Sequence, residues 1–102
     1  MKRTIIQYTV KAERAAENQS YVEKVFENLR QISPSGLRYA TFKQPDNRTF
    51  MHLVSVETEH ADDPLTQSAP FKAFQSGLKE RCETQPVVTE LTVVGSYNFF
   101  DK

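Results

Sequence analysis

This sequence predicts an α+β domain: a four-stranded antiparallel sheet with two helices on one face. Three observations carry that reading. Stretches that alternate with period two and stretches with helical spacing follow one another in the order β-α-β-β-α-β. The turn Gln44-Pro45-Asp46-Asn47-Arg48 joins two runs rich in β-branched and aromatic residues. No repeat, low-complexity tract or linker divides the 102 residues, so residues 1–102 are expected to form one domain.

Thr4 to Val10 reads as the first strand, with Ile6, Tyr8 and Val10 on one side and Ile5, Gln7 and Thr9 on the other. From about Arg14 to Gln31 the period changes. Val22, Val25, Phe26, Leu29 and Ile32 line one helix face, and Ser33-Pro34-Ser35-Gly36 ends it. The hairpin follows as Leu37–Lys43 and Thr49–Glu57, with Pro45 presetting the turn and Asp46 and Asn47 accepting a left-handed bend. Asp63-Pro64 suits the opening of a short helical turn. A second helix is expected from about Pro70 to Glu83, with Phe71, Phe74, Leu78 and Cys82 on its apolar side and Gln85-Pro86 as its breaker. The last strand is expected from Val87 to Phe100, with a bulge or bend at Gly95. In this order the first and third strands are central and the second and fourth are edges.

The strands are apolar on both faces. Phe50, Val54 and Val56 oppose Met51 and Leu53; Val87, Leu91 and Val93 oppose Val88 and Val94; Ile5 opposes Ile6 and Val10. Two helices cover one face only. The other face implies a homodimer whose sheets pack together, because exposed apolar area costs about 25 cal/mol per Å². The final stretch, Ser96-Tyr97-Asn98-Phe99-Phe100, is long enough to reach a partner's sheet edge.

Composition narrows the partners. Thirteen basic and 13 acidic residues give a net charge of zero, so no field draws the chain to nucleic acid or to an anionic membrane. No apolar run approaches the roughly 20 residues that span a bilayer, and the N-terminal stretch lacks a signal peptide's apolar centre. The single cysteine, Cys82, cannot form an internal disulfide. A cytoplasmic protein is the expectation.

The strand order, the hairpin Gly36-Leu37-Arg38-Tyr39-Ala40-Thr41-Phe42, the helix with Phe71-Lys72-Ala73-Phe74, and the closing Val93-Val94-Gly95-Ser96-Tyr97 together resemble the dimeric α/β-barrel superfamily. The nearest branch is the antibiotic biosynthesis monooxygenase-like family. That resemblance implies a ferredoxin-like subunit, two sheets closed into a barrel, and a small-molecule cleft between each sheet and its helices. It also implies oxidation of aromatic polyketides or quinols with no cofactor in some members, and haem degradation in others. The haem-degrading branch uses an Asn, Trp and His set; this chain has no Trp, so that chemistry is not carried over.

His52, in the middle of the third strand, is the best catalytic candidate, because its pKa lies near neutrality and it can move a proton or orient a phenol. It can equally be a hydrogen-bonded core histidine. Tyr8 and Tyr39 lie on strands and can hydrogen-bond a ligand oxygen while their rings pack on it, as can Tyr97. Phe71 and Phe74 would wall the cleft, so the expected ligand-binding set is Tyr8, Tyr39, His52, Phe71 and Phe74. Arg38 is a candidate for an acidic group, or a solvated charge. His60, Asp62 and Asp63 share one loop without metal-site spacing, so no metal is expected. Cys82 reads as a buried, inert thiol. The function expected is a small-molecule-binding protein acting as a cofactor-independent monooxygenase on an aromatic or quinone-like molecule. The alternative is a non-catalytic binding or interaction module, with a cleft filled by Phe71, Phe74 and Leu78.

Overall fold

The computed structural model describes residues 2–57 and 64–99. Strands β1 (Lys2–Val10), β2 (Leu37–Lys43), β3 (Thr49–Val56) and β4 (Cys82–Leu91) form one antiparallel sheet in the order β2-β3-β1-β4. The expected central and edge strands are therefore in place. Helix α1 (Ala15–Ile32), entered through a 3-10 turn at Ala12–Arg14, and helix α3 (Ala69–Ser76) pack side by side on one face. Two single turns flank α3: α2 (Pro64–Gln67) and α4 (Leu78–Arg81).

The β2–β3 turn is held by one carboxylate. Asp46 accepts from the backbone amides of Arg48 and Thr49, both at 2.9 Å, and from the Thr49 hydroxyl at 2.6 Å. The left-handed residue falls on Asn47, at φ 63°. Helix α1 closes with Ser33 at φ 43°, its amide donating to the Leu29 carbonyl, and Gly36 turns the chain into β2 at φ 79°. The turn expected at Asp63-Pro64 is seen from Pro64 onward; Asp63 lies outside the described residues, as do His60, Asp62 and Phe100.

Two elements differ from the sequence expectation. The second helix does not run from Pro70 to Glu83. It starts one residue earlier, capped by the Ser68 side chain, which accepts from the Phe71 amide, and it stops at Ser76. Gly77 interrupts it, leaving the helical region at φ −109° and ψ 8°, and a Cβ there would lie 2.8 Å from Nη1 of Arg81, whose guanidinium is turned inward. The last strand spans Cys82–Leu91 rather than Val87–Phe100. Pro86, read as a helix breaker, sits inside it. That is allowed because β4 is an edge strand and the register slips between Gln7↔Val87 and Thr9↔Thr84. Cys82 is consequently a buried strand residue, not a helical one, and burial pushes its thiol pKa up.

The core lies between the sheet and the helices. Tyr8, Val10, Phe50, Val54 and Val56 meet Val22 and Val25 of α1 and Phe71 and Phe74 of α3. Directly paired positions put Ile5, Leu53 and Ala40 on the opposite face, beside Gln7, Met51 and Phe42. No helix of the described residues covers that face. Residues 92–99 follow it as irregular chain, with Val94 wholly exposed and Tyr97 at 88 %. Between this tail and the outer face runs a groove of about 780 Å³, lined by Arg3, Arg38, Leu53, Leu91, Val93 and Tyr97 among others. No helix of the described residues is long and apolar enough to cross a membrane.

Candidate functional site

The five expected ligand-binding residues converge. Strand alternation brings Tyr8 on β1, Tyr39 on β2 and His52 on β3 to the helix side of the sheet, and α3 lays Phe71 and Phe74 over them. The His52 ring stacks on Tyr8 (5.3 Å between centroids) and on Tyr39 (5.8 Å), and tilts against Phe74 (5.3 Å). Phe71 meets Tyr39 edge-on at 6.4 Å, and Phe26 of α1 stacks on Tyr39's ring at 4.9 Å. Each such pair adds about 0.5–1.5 kcal/mol beyond simple burial. Tyr97 and Arg38 do not join this cluster; both line the groove on the outer face.

A line of buried hydrogen bonds threads the rings. Tyr8 Oη lies 2.7 Å from His52 Nε2, and His52 Nδ1 lies 2.8 Å from Tyr39 Oη and 2.9 Å from Thr41 Oγ1. Asn18 Nδ2 donates to Tyr8 Oη at 3.0 Å, and Arg81 Nε donates to Asn18 Oδ1 at 3.0 Å. Arg81 Nη2 also donates to the Phe74 carbonyl at 2.7 Å. The sequence reading missed Asn18, Thr41 and Arg81. Asn18 was hidden because a polar residue on α1 reads as a solvated position, and Arg81 because a charged residue near a helix end reads as surface.

Arg81 is 1 % exposed, and among the described residues no carboxylate comes within ion-pair distance of it. Its charge is met by one amide oxygen, one carbonyl, and the faces of Tyr21 and Phe74 at 4.6 and 5.5 Å. Among the described side chains no fully buried nitrogen or oxygen lacks a partner.

Burial sets the protonation of the chain. Desolvation lowers the His52 pKa from its usual 6.5 to about 4, so the imidazole is neutral at neutral pH. It pushes the Tyr39 phenol up to about 12 and the Tyr8 phenol higher still, against a smaller lowering by the hydrogen bond from Asn18. The set can therefore pass a proton between neutral groups, and it does not hold a ready anion. Tyr39 is the member that reaches an opening: with Phe26, Leu29, Arg30, Ser33, Pro34 and Leu37 it lines a groove of about 210 Å³ beside the end of α1. Among the described residues no group of three or more His, Cys, Asp or Glu converges as a metal site would.

A sheet in the order β2-β3-β1-β4, with helices packed on one face, is the α+β, ferredoxin-like fold. Solved structures place it further. The chain superposes on a crystal structure of an antibiotic biosynthesis monooxygenase with a TM-score of 0.75, at 19% identity, covering 93% of this chain and 100% of that one. A Nitrosomonas europaea protein proposed to be such an enzyme gives 0.76 at 13% identity, covering 93% and 100%. A Caulobacter crescentus protein with the same proposed role gives 0.73 at 17%, covering 92% and 90%. The chain thus has the fold of the antibiotic biosynthesis monooxygenase-like proteins. No protein-family model matches the sequence, and no curated protein matches it.

Proposed function

We propose that this single-domain chain forms a homodimer, belongs to the antibiotic biosynthesis monooxygenase-like family, and oxidises a small aromatic or quinone-like molecule without a cofactor. The observation that carries the chemistry is the buried Tyr8–His52–Tyr39 line, a path for one proton inside an aromatic shell. An electron-rich phenolic ring with an activated CH₂ needs little else. Once a proton leaves, the ring supplies four electrons to dioxygen; one oxygen atom ends in the new carbonyl and the other in water. His52 would hold Tyr39 as a hydrogen-bond donor to the ring's oxygen, which lets the CH₂ proton leave to water, and Phe26, Phe71 and Phe74 would supply the apolar surroundings of that bond. Oxygen uptake with anthrone, which has that CH₂, and with a naphthoquinol, which would give two electrons to dioxygen and yield its quinone and hydrogen peroxide, checks this. Turnover is expected, and Tyr39→Phe and His52→Gln should each slow it by about 100-fold or more. No uptake with any of these substrates would remove the enzymatic reading.

The second copy is the occupant that the outer face and tail imply. Exposed Val87, Val93, Val94 and Tyr97 continue the apolar strip of Ile5, Met51 and Leu53. At micromolar concentration the protein is expected to sediment as a dimer. Val94→Glu, which touches nothing in the lone subunit, should yield the monomer. A wild-type protein that sediments as one subunit would refute the dimer.

One observation favours a non-catalytic binding or interaction role. Phe71 and Phe74 are buried, Leu78 packs against the same core, and both nitrogens of His52 are engaged, so the helix–sheet space is occupied by the protein's own side chains. Selective binding without oxygen uptake is what that reading expects.

A further inference from the structure

The buried hydrogen-bond chain has a direction, and Arg81 sets it. A guanidinium carries only donors, so Asn18 Oδ1 must accept from Arg81 Nε. That fixes the amide, and Asn18 Nδ2 must donate to Tyr8 Oη. Tyr8 is 1 % exposed, and the acceptor left for its hydroxyl hydrogen is His52 Nε2, 2.7 Å away. Were Nε2 the donor, that hydrogen would be buried without a partner. Nε2 therefore accepts, and a neutral imidazole then bears its hydrogen on Nδ1.

Beyond His52 the chain holds more hydrogens than oxygens. Nδ1, Tyr39 and Thr41 bring three hydrogens to two hydroxyl oxygens. One hydroxyl hydrogen must find its acceptor outside this trio. Among the described residues neither hydroxyl makes a further hydrogen bond outside it. Tyr39 also lines the 210 Å³ groove beside the end of α1, and it borders the larger groove on the outer face.

We propose that Asn18 and Arg81 are positioning residues that fix His52 as the Nδ1–H tautomer, and that the Tyr39–Thr41 pair thereby donates a hydrogen bond to an acceptor oxygen, the carbonyl of an aromatic quinone or ketone, bound in the groove beside Tyr39. The tautomer stands on the geometry alone. The ligand class rests on the small-molecule reading given above.

Asn18→Asp tests both parts with little change of shape. An aspartate has two acceptors and no donor. One oxygen keeps Arg81, and the other takes the Tyr8 hydrogen. Tyr8 Oη must then accept from Nε2–H, so the imidazole hydrogen changes sides. Nδ1 becomes an acceptor, and the surplus hydrogen at Tyr39–Thr41 disappears. Long-range proton–nitrogen NMR of the imidazole, assigned with His60→Gln, reads the tautomer directly. Nδ1–H is expected in the wild type and Nε2–H in Asn18→Asp. Equilibrium dialysis with 1,4-naphthoquinone and naphthalene reads the ligand end. The wild type should prefer the quinone, and Asn18→Asp should weaken quinone binding by about tenfold while leaving naphthalene unchanged. An Nε2–H wild type, which needs no variant to observe, would overturn the proposal. So would an unchanged tautomer in Asn18→Asp, equal binding of the two probes, or binding of neither. Quinone-selective binding without oxygen uptake would support the donor end and overturn oxidation separately.

Discussion

Lowering the pH from about 7 to about 4 is expected to remove roughly 3 kcal/mol of folding free energy through His52 alone. The imidazole is 2 % exposed in the folded chain, and desolvation holds its pKa at about 4 against 6.5 when free. In the window between those values the unfolded chain binds the proton and the folded chain does not. Stability from this group is therefore complete above about 6.5 and is lost as the pH falls towards 4. Protonation would also put a hydrogen on both ring nitrogens and leave the Tyr8 hydroxyl hydrogen without its acceptor. Urea midpoints of the wild type and His52→Gln at several pH values measure this. The variant should be the less stable at pH 7 and should show a flatter slope through the window. Glu17 and Asp46, whose carboxyls hydrogen bonds hold below their usual range, titrate in both proteins and cancel in the difference. Parallel curves for the two proteins would mean that His52 is not buried neutral.

The layout of the sheet was legible because alternation specifies it. Tyr8, Tyr39 and His52 sit at alternating strand positions among apolar neighbours, and such a pattern fixes the face of every side chain at once. Phe71 and Phe74, three apart on one helix, were fixed by the same kind of periodicity. Arg81 was not legible, since nothing local distinguishes a buried arginine from a solvated one. The signal lay in Gly77, four residues earlier, whose missing Cβ makes room for the guanidinium. Asn18 likewise gains its meaning only from Tyr8 and Arg81, which approach it from remote parts of the chain. The end of the last strand was misjudged because Val93 and Val94 have strand propensity but no neighbour in this subunit to pair with. Propensity without a neighbouring strand leaves the segment irregular.

Phe74→Ala is expected to cost 3–5 kcal/mol, about the range for a large aromatic removed from a packed core. That is a large part of the roughly 5–15 kcal/mol that holds a domain of this size together. Phe74 is 4 % exposed, and its ring meets Tyr8, His52 and Phe71 and lies beneath the Arg81 guanidinium. The carbonyl that accepts from Arg81 belongs to the backbone and survives the substitution, so the loss reports the ring's packing and its contact with the guanidinium, not the hydrogen bond. Phe71→Ala should cost less, since Phe71 is more exposed, at 9 %, and makes fewer ring contacts. Urea denaturation gives both values. Added benzene should restore part of the stability of Phe74→Ala, because an apolar cavity of ring size stays dry and takes up an apolar guest. A loss below about 1 kcal/mol, with no response to benzene, would mean that the space around position 74 closes without strain. The helix–sheet layer would then be pliable enough to admit a ligand beside His52 itself, and the binding site would move from the groove at Tyr39 into the core.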